Sequence, residues 1–266
     1  MRAMATTASF IEDPARGVRL EVLTEGAGDD VVLLPSSHRG AADFVMLSAA
    51  LAGAGYRAIA VNPRGVGAST GPLDLSMSDI ADDVAMVIEQ QGHGPAHVVG
   101  HALGNTFARA TASYRPEVVR SLCLLACGGH NLAQAAPPPL VMEHFARCSD
   151  TSLPDAERLE SLGIVFFAPG NDASSWLDGW WHGGDAVSAA LRSSDPEEWW
   201  RGGAGPMLIV QPLHDAMAPP STGRELKASL GDRVRYVELA DCGHAMLPEQ
   251  PDLIAQQVLT WLADQP

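Results

Sequence analysis

Positive charge is scarce in this chain. Seventeen lysines and arginines stand against 32 aspartates and glutamates, a formal net charge of −15. Such a surface repels phosphates, which argues against nucleic acid and anionic membrane as partners. Cysteine is sparse too. The four present, Cys123, Cys127, Cys148 and Cys242, form no Cys-x-x-Cys pair and no Cys/His cluster at zinc spacing. Reduced thiols, several of them buried, are therefore expected, and no metal site. Long apolar runs are missing: residues 31–34, Val-Val-Leu-Leu, are typical of the longest, far short of the roughly 20 needed to span a bilayer. Arg2 is followed by no continuous apolar stretch, so no secretory signal is expected and a soluble cytoplasmic protein is. No period of 20 to 50 residues repeats, which excludes a solenoid.

What is present suits a single α/β domain of 266 residues, 46% hydrophobic and 18% charged, ample for a buried core. Short apolar runs read as strands at 18–23, 31–34, 58–61, 96–99, 119–126, 207–210 and 234–239. Helical periodicity falls between them, near 41–52, 77–90, 103–113, 221–229 and 253–263. Alternation of this kind, with strands apolar on both faces, predicts a mostly parallel sheet covered by helices on both sides. One stretch breaks the rhythm. Residues 130–205 contain no clear strand, three consecutive prolines at 137–139 and five of the six tryptophans. This stretch reads as a helical lid over the carboxyl edge of the sheet, where α/β folds bind ligands, set between core segments 1–129 and 206–266.

The chemistry centres on VVGHALGNTFAR, from Val98 to Arg109. An apolar strand running into Gly-x-Ser-x-Gly and then a helix mounts a nucleophile on a strained turn. Gly100 and Gly104 are kept here, but Ala102 stands where the serine belongs. Such a turn takes its acid and its histidine from loops after later strands, in that order. MLIVQPLHDAMAPP supplies Asp215, and VRYVELADCGHAMLPEQPDLI supplies His244. Asp241, three residues before His244, is the weaker candidate for the acid.

With these pieces in order, the chain resembles the α/β-hydrolase superfamily over nearly its whole length. VVLLPSSHRGAADF sits where that family forms its oxyanion hole, and YRAIAVNPRGVGAST is similar to its Asp-x-Arg-Gly-x-Gly-x-Ser segment, read here as Asn62, Arg64, Gly65, Gly67 and Ser69. Gly-His-Ala-x-Gly-Asn elbows are associated with a naturally occurring branch of the superfamily. The resemblance implies an oxyanion hole from the Leu103 N–H and an N–H of the loop through Ser36, Ser37 and His38, with Asp215 fixing the tautomer of His244 so that its other nitrogen acts as base. Trp180 and Trp181 are expected on the wall of the pocket, alongside some of Phe166, Phe167 and Trp176. Arg64 is expected to pin loops, His101 to pack, and Asp79, Asp82 and Asp83 to form a solvated helix face.

Without a serine, acyl-enzyme chemistry loses on the order of 10⁶ in turnover, about 8 kcal/mol of transition-state stabilisation. The expected function is hydrolysis of an ester, thioester or carbon–carbon bond in a small, largely apolar molecule, by water activated at His244 and with no cofactor. Three alternatives stay open: proton abstraction in a lyase, isomerase or cofactor-free oxygenase; a ligand-binding protein; and a serine hydrolase disabled by an introduced alanine. Oligomeric state is not legible.

Overall fold

The computed structural model describes residues 6–91, 93–128 and 137–265. Its eight strands are β1 (Thr7–Asp13), β2 (Val18–Gly26), β3 (Asp29–Leu34), β4 (Tyr56–Val61), β5 (Ala96–His101), β6 (Val119–Leu125), β7 (Met207–Pro212) and β8 (Val234–Leu239). They form one sheet in the order β1-β2-β4-β3-β5-β6-β7-β8. Both pairings of β2 are antiparallel, and from β4 to β8 every pairing is parallel. Each of the seven expected strands forms. The eighth, β1, lies at an edge with five of its seven residues exposed, so it carries little of the apolar signal that marks the others. β5 and β7 are buried at every residue, as strands covered on both faces must be.

The expected helices are α1 (Val45–Gly53), α2 (Met77–Gln91), α3 (Leu103–Tyr114), α7 (Pro220–Leu230) and α9 (Pro251–Ala263), with α8 (Met246–Glu249) a single turn before the last. On one face of the sheet Ile80 and Val84 of α2 and Phe107 of α3 join Val32, Val98, Leu124 and Ile209 in a buried core. On the other, Leu47 and Leu51 of α1 and Ile254, Val258 and Trp261 of α9 pack on Val31, Val99, Cys123 and Leu208. Each fully buried aliphatic side chain contributes about 1.5–3 kcal/mol.

Helix α2 starts with a reciprocal cap: the Asp79 amide donates to Ser76 Oγ at 3.1 Å, and the Ser76 amide to Asp79 Oδ2 at 2.9 Å. Asp83 departs from the solvated face expected for it. The α2 stripe turns it inward, 7% exposed, where it takes two 2.7 Å hydrogen bonds from the Arg64 guanidinium. Arg64 also donates to the Pro72 carbonyl and so ties the loop after β4 to α2. All four cysteines are buried and free. Among the described residues no helix is long and apolar enough to cross a membrane.

Between β6 and β7 the chain forms α4 (Pro139–Cys148), α5 (Asp155–Val165) and α6 (Gly184–Ser193); residues 130–136 of the expected lid lie outside the described residues. This stretch has its own core, in which Leu162, Val165, Phe166, Phe167 and Trp176 are buried together.

Candidate active site

The turn after β5 is under backbone strain. Ala102 has φ 51° and ψ −113°, a conformation that a residue with a Cβ adopts at a cost of about 1–3 kcal/mol. Two glycines make the turn possible. A Cβ on Gly100 would run into Gly104 O and the backbone of Asn105, and one on Gly104 into the Leu34 carbonyl and, at 2.7 Å, Pro35 O. The start of α3 therefore lies directly against the end of β3, which brings the first N–H of α3 beside the loop that follows Leu34. That N–H has no carbonyl one turn back in the helix to receive it, and the helix dipole favours negative charge there. The Ala102 amide is anchored to Leu125 O at 2.9 Å.

Asp215 and His244 meet from the loops after β7 and β8. His244 Nδ1 lies 2.9 Å from both Asp215 carboxylate oxygens, and the two residues are 6% and 4% exposed. Asp215 Oδ1 also accepts from the amides of Met217 at 2.9 Å and Ala218 at 2.7 Å, which fixes the carboxylate from behind. The loops are joined by the His214 amide donating to Cys242 O at 2.9 Å. The loop bearing His244 is held to the insertion as well: the Ala245 amide donates to Phe166 O at 2.8 Å, and a Cβ at Gly243 would stand 2.6 Å from that same oxygen. Asp241 is exposed and has no part in this pair.

His101, within the elbow, is fully buried, with Nε2 2.7 Å from the His244 carbonyl. A carbonyl only accepts, so the proton sits on Nε2; Nδ1 has no partner among the described residues. Burial pushes its pKa down to about 3, so the ring is neutral and supports the backbone of His244.

A cavity of about 250 Å³ lies over the elbow. Ser36, Ser37, Ala102, Leu103 and His244 line one part of it, Phe145, Phe166, Leu191 and Trp199 from the insertion another, and Thr106, Arg109 and Met217 much of the rest. The structure thus gathers Ser36, Ser37, Ala102, Leu103, His244 and, of the expected aromatic wall, Phe166, with Asp215 directly behind them; Phe167 and Trp176 pack in the core of the insertion. Three others fall elsewhere. His38, with φ 59°, turns its ring away: Nδ1 is 2.8 Å from Ser37 Oγ and Nε2 2.9 Å from Asp185 Oδ1. Trp180 donates Nε1–H to Trp176 O at 2.6 Å and packs on Phe166 and Trp176, inside the core of the insertion and not on the cavity wall. Trp181 is 41% exposed, its amide bound to His38 O at 2.9 Å. The aromatic count alone does not say which rings pack among themselves. Thr106 and Arg109 are not among the sequence candidates although a signal exists: Leu103, Thr106 and Arg109 follow one another at i+3, a row of neighbours running along the helix behind the elbow. Phe145 and Trp199 had no such signal.

The description "Alpha/beta hydrolase family" belongs to a family model that matches residues 26–257. The chain is 28% identical to a putative non-heme bromoperoxidase of Mycobacterium tuberculosis, over 90% of this chain and 95% of that one. It is 26% identical to a putative carbamate hydrolase of Variovorax paradoxus, over 89% and 93%. In fold it is similar to an esterase from Exiguobacterium antarcticum, with TM-score 0.77 and 21% identity over 97% of this chain and 100% of that one.

Proposed function

This chain belongs to the alpha/beta hydrolase family, and from that premise we propose that it hydrolyses a small, largely apolar carbonyl compound with water as the nucleophile, residues 130–205 acting as a cap over the cavity. The observation that carries this reading is the Asp215–His244 pair, its histidine on the wall of the same cavity as a strained elbow that bears a methyl group in place of a hydroxyl. A carboxylate accepts only, so Nδ1 of His244 carries the ring proton and Nε2 keeps a free lone pair. Nε2 takes a proton from water, the resulting hydroxide adds to the substrate carbonyl, and the oxyanion is received by the Leu103 N–H and an N–H of the loop at Ser36 and Ser37. The imidazolium then returns its proton to the leaving group. Asp215 stabilises that cation and holds the ring, while its own backbone donors keep it in place. Because Ala102 cannot bond to the substrate, no acyl-enzyme forms.

An ester, a thioester, a carbon–carbon bond next to a carbonyl and a carbamate, the substrate type in the name of the Variovorax relative, all suit this sequence of steps. The test is hydrolysis of short aryl esters, thioesters and aryl carbamates by the wild-type chain and by His244→Ala. His244→Ala is expected to lose about 10²–10⁴ in kcat/KM, and intact mass during turnover to show no covalent adduct. Full activity in His244→Ala, or an acylated protein, overturns the proposal.

A further inference from the structure

Arg39, Arg64, Arg109 and Arg158 are buried, at 3%, 4%, 1% and 4% exposure. Three of them meet a carboxylate: Arg39 meets Asp43 at 2.7 Å, Arg64 meets Asp83 at 2.7 Å and Arg158 meets Asp155 at 3.4 Å. Arg109, the most buried, meets none among the described residues. Its N–H groups donate to neutral oxygens: Asn105 O at 3.4 Å, Asn105 Oδ1 at 2.9 Å, Gly128 O at 3.1 Å and Trp200 O at 3.2 Å. The guanidinium lies 5.2 Å from the Trp199 ring centroid. Burial presses its pKa downward, and the one group working against that is the Cys127 thiol. A guanidinium does not give up its proton in a protein, so a whole positive charge stays in the interior without a counter-charge.

The place of that charge is informative. Arg109 lines the 250 Å³ cavity, and among the described residues no Asp or Glu does. Leu103, at the elbow, and Arg109 both line the cavity and lie about 9 Å apart along the axis of α3. The hydrogen bonds to Gly128 and Trp200 explain a donor at this position but not a net charge, in a chain whose 32 acidic residues supply partners to the other three buried arginines. Among the described residues four of its five N–H groups find an acceptor, which leaves one on Nη1 for a ligand.

We propose that Arg109 is the anion-recognising residue of this cavity, and that the substrate is a small carboxylate whose reacting carbonyl sits between Ala102 and His244 while its carboxylate end faces Arg109. The inference rests on the reading of this cavity as the substrate site. A volume of 250 Å³ holds about eight non-hydrogen atoms at the ~30 Å³ of a liquid water, enough for a short apolar body with one charged end.

The test uses two near-isosteric pairs, benzoate with benzamide and hexanoate with hexanamide, titrated into the purified full chain by ligand-observed NMR. Each acid is expected to bind the wild type about tenfold or more tightly than its amide. Arg109→Met and Arg109→Gln are expected to bring the ratio to within about twofold of one while amide binding persists, and Arg109→Lys to keep part of the preference. Equal binding of acid and amide by the wild type, no binding of either acid, or a preference that survives in Arg109→Met overturns the proposal. The wild-type ratio stands as a test even if a variant fails to fold. His244→Gln is expected to retain the preference, and its loss there would assign the anion to His244 and overturn the role of Arg109. Because binding is read and not turnover, a chain that prefers acids yet hydrolyses nothing sinks the hydrolase reading alone.

Discussion

Two histidines in the interior make stability depend on pH. His97 is 2% exposed, bonded through Nδ1 to Ser121 Oγ at 2.7 Å, and burial, with the Arg120 charge adding to it, lowers its pKa to about 4. His101 is lowered to about 3 by burial. Between those values and the ordinary 6.5 the unfolded chain binds protons that the folded chain refuses. Stability is therefore complete above pH 6.5 and falls as pH drops, by about 1.4 kcal/mol per pH unit for each ring. Urea denaturation at pH 7, 6 and 5 is expected to show this slope, and His97→Asn to remove about half of it. An unchanged slope in the variant would mean that His97 is charged in the fold. Ala102→Ser probes the other unusual residue. The turn already holds a Cβ at φ 51°, so the hydroxyl fits without rearrangement. The expected outcome is weak activity at most on aryl esters, weak fluorophosphonate labelling, and loss of the chain's own reaction because the hydroxyl occupies space that water or substrate uses. Strong labelling with a large rise in ester hydrolysis would instead identify a disabled serine hydrolase. At this scale the sequence made the elbow legible, because a glycine pair that tolerates no Cβ leaves a fixed spacing. The inward turn of Asp83 and the unpaired charge of Arg109 were not legible, because each depends on which partner a different element presents.

The elements differ in how much tertiary structure they need to be seen. The buried strands and the helices between them announce themselves by apolar period, whereas β1 is an exposed edge and α4, α5 and α6 lie in a stretch whose packing is set by aromatic rings. Trp176 is the centre of that packing. It is 2% exposed, 5.1 Å from the Phe166 ring and 5.9 Å from that of Trp180, with the Arg39 guanidinium 4.6 Å from its own centroid. Phe166 in turn is a wall of the cavity and holds the Ala245 amide beside His244. Trp176→Ala is expected to cost about 3–5 kcal/mol and to lower activity by loosening Phe166. Trp181→Ala, at a ring 41% exposed whose backbone contact to His38 O survives substitution, is expected to stay within about 0.5 kcal/mol. Thermal denaturation of the two variants side by side checks this; equal losses would show that the insertion has no internal core.

Over the whole molecule, an excess of 15 negative charges is confined to a body whose radius of gyration is about 18 Å, against roughly 55 Å for the unfolded chain. Cations on the surface are largely committed: Arg115 alone holds Asp82, Glu89 and Glu117. The remaining carboxylates repel one another more in the folded state than in the expanded one, so screening relieves the folded state more. Salt also weakens the exposed ion pairs, but such pairs are worth only about 0–1 kcal/mol each. Shortening the screening length from roughly 20 Å at 20 mM to about 6 Å at 300 mM removes repulsion on the order of a few kcal/mol, and this larger effect decides the sign. The melting temperature at pH 7.5 is expected to rise by several degrees between 20 and 300 mM KCl. A variant with four exposed acids that form no ion pair among the described residues, Asp74, Glu143, Asp232 and Asp252, changed to Asn or Gln is expected to start from a higher melting temperature and to gain less from salt. A melting temperature that falls as KCl is added would show that the arginine-centred ion pairs outweigh the net charge, and that the acidic excess is held too far apart on the surface to matter.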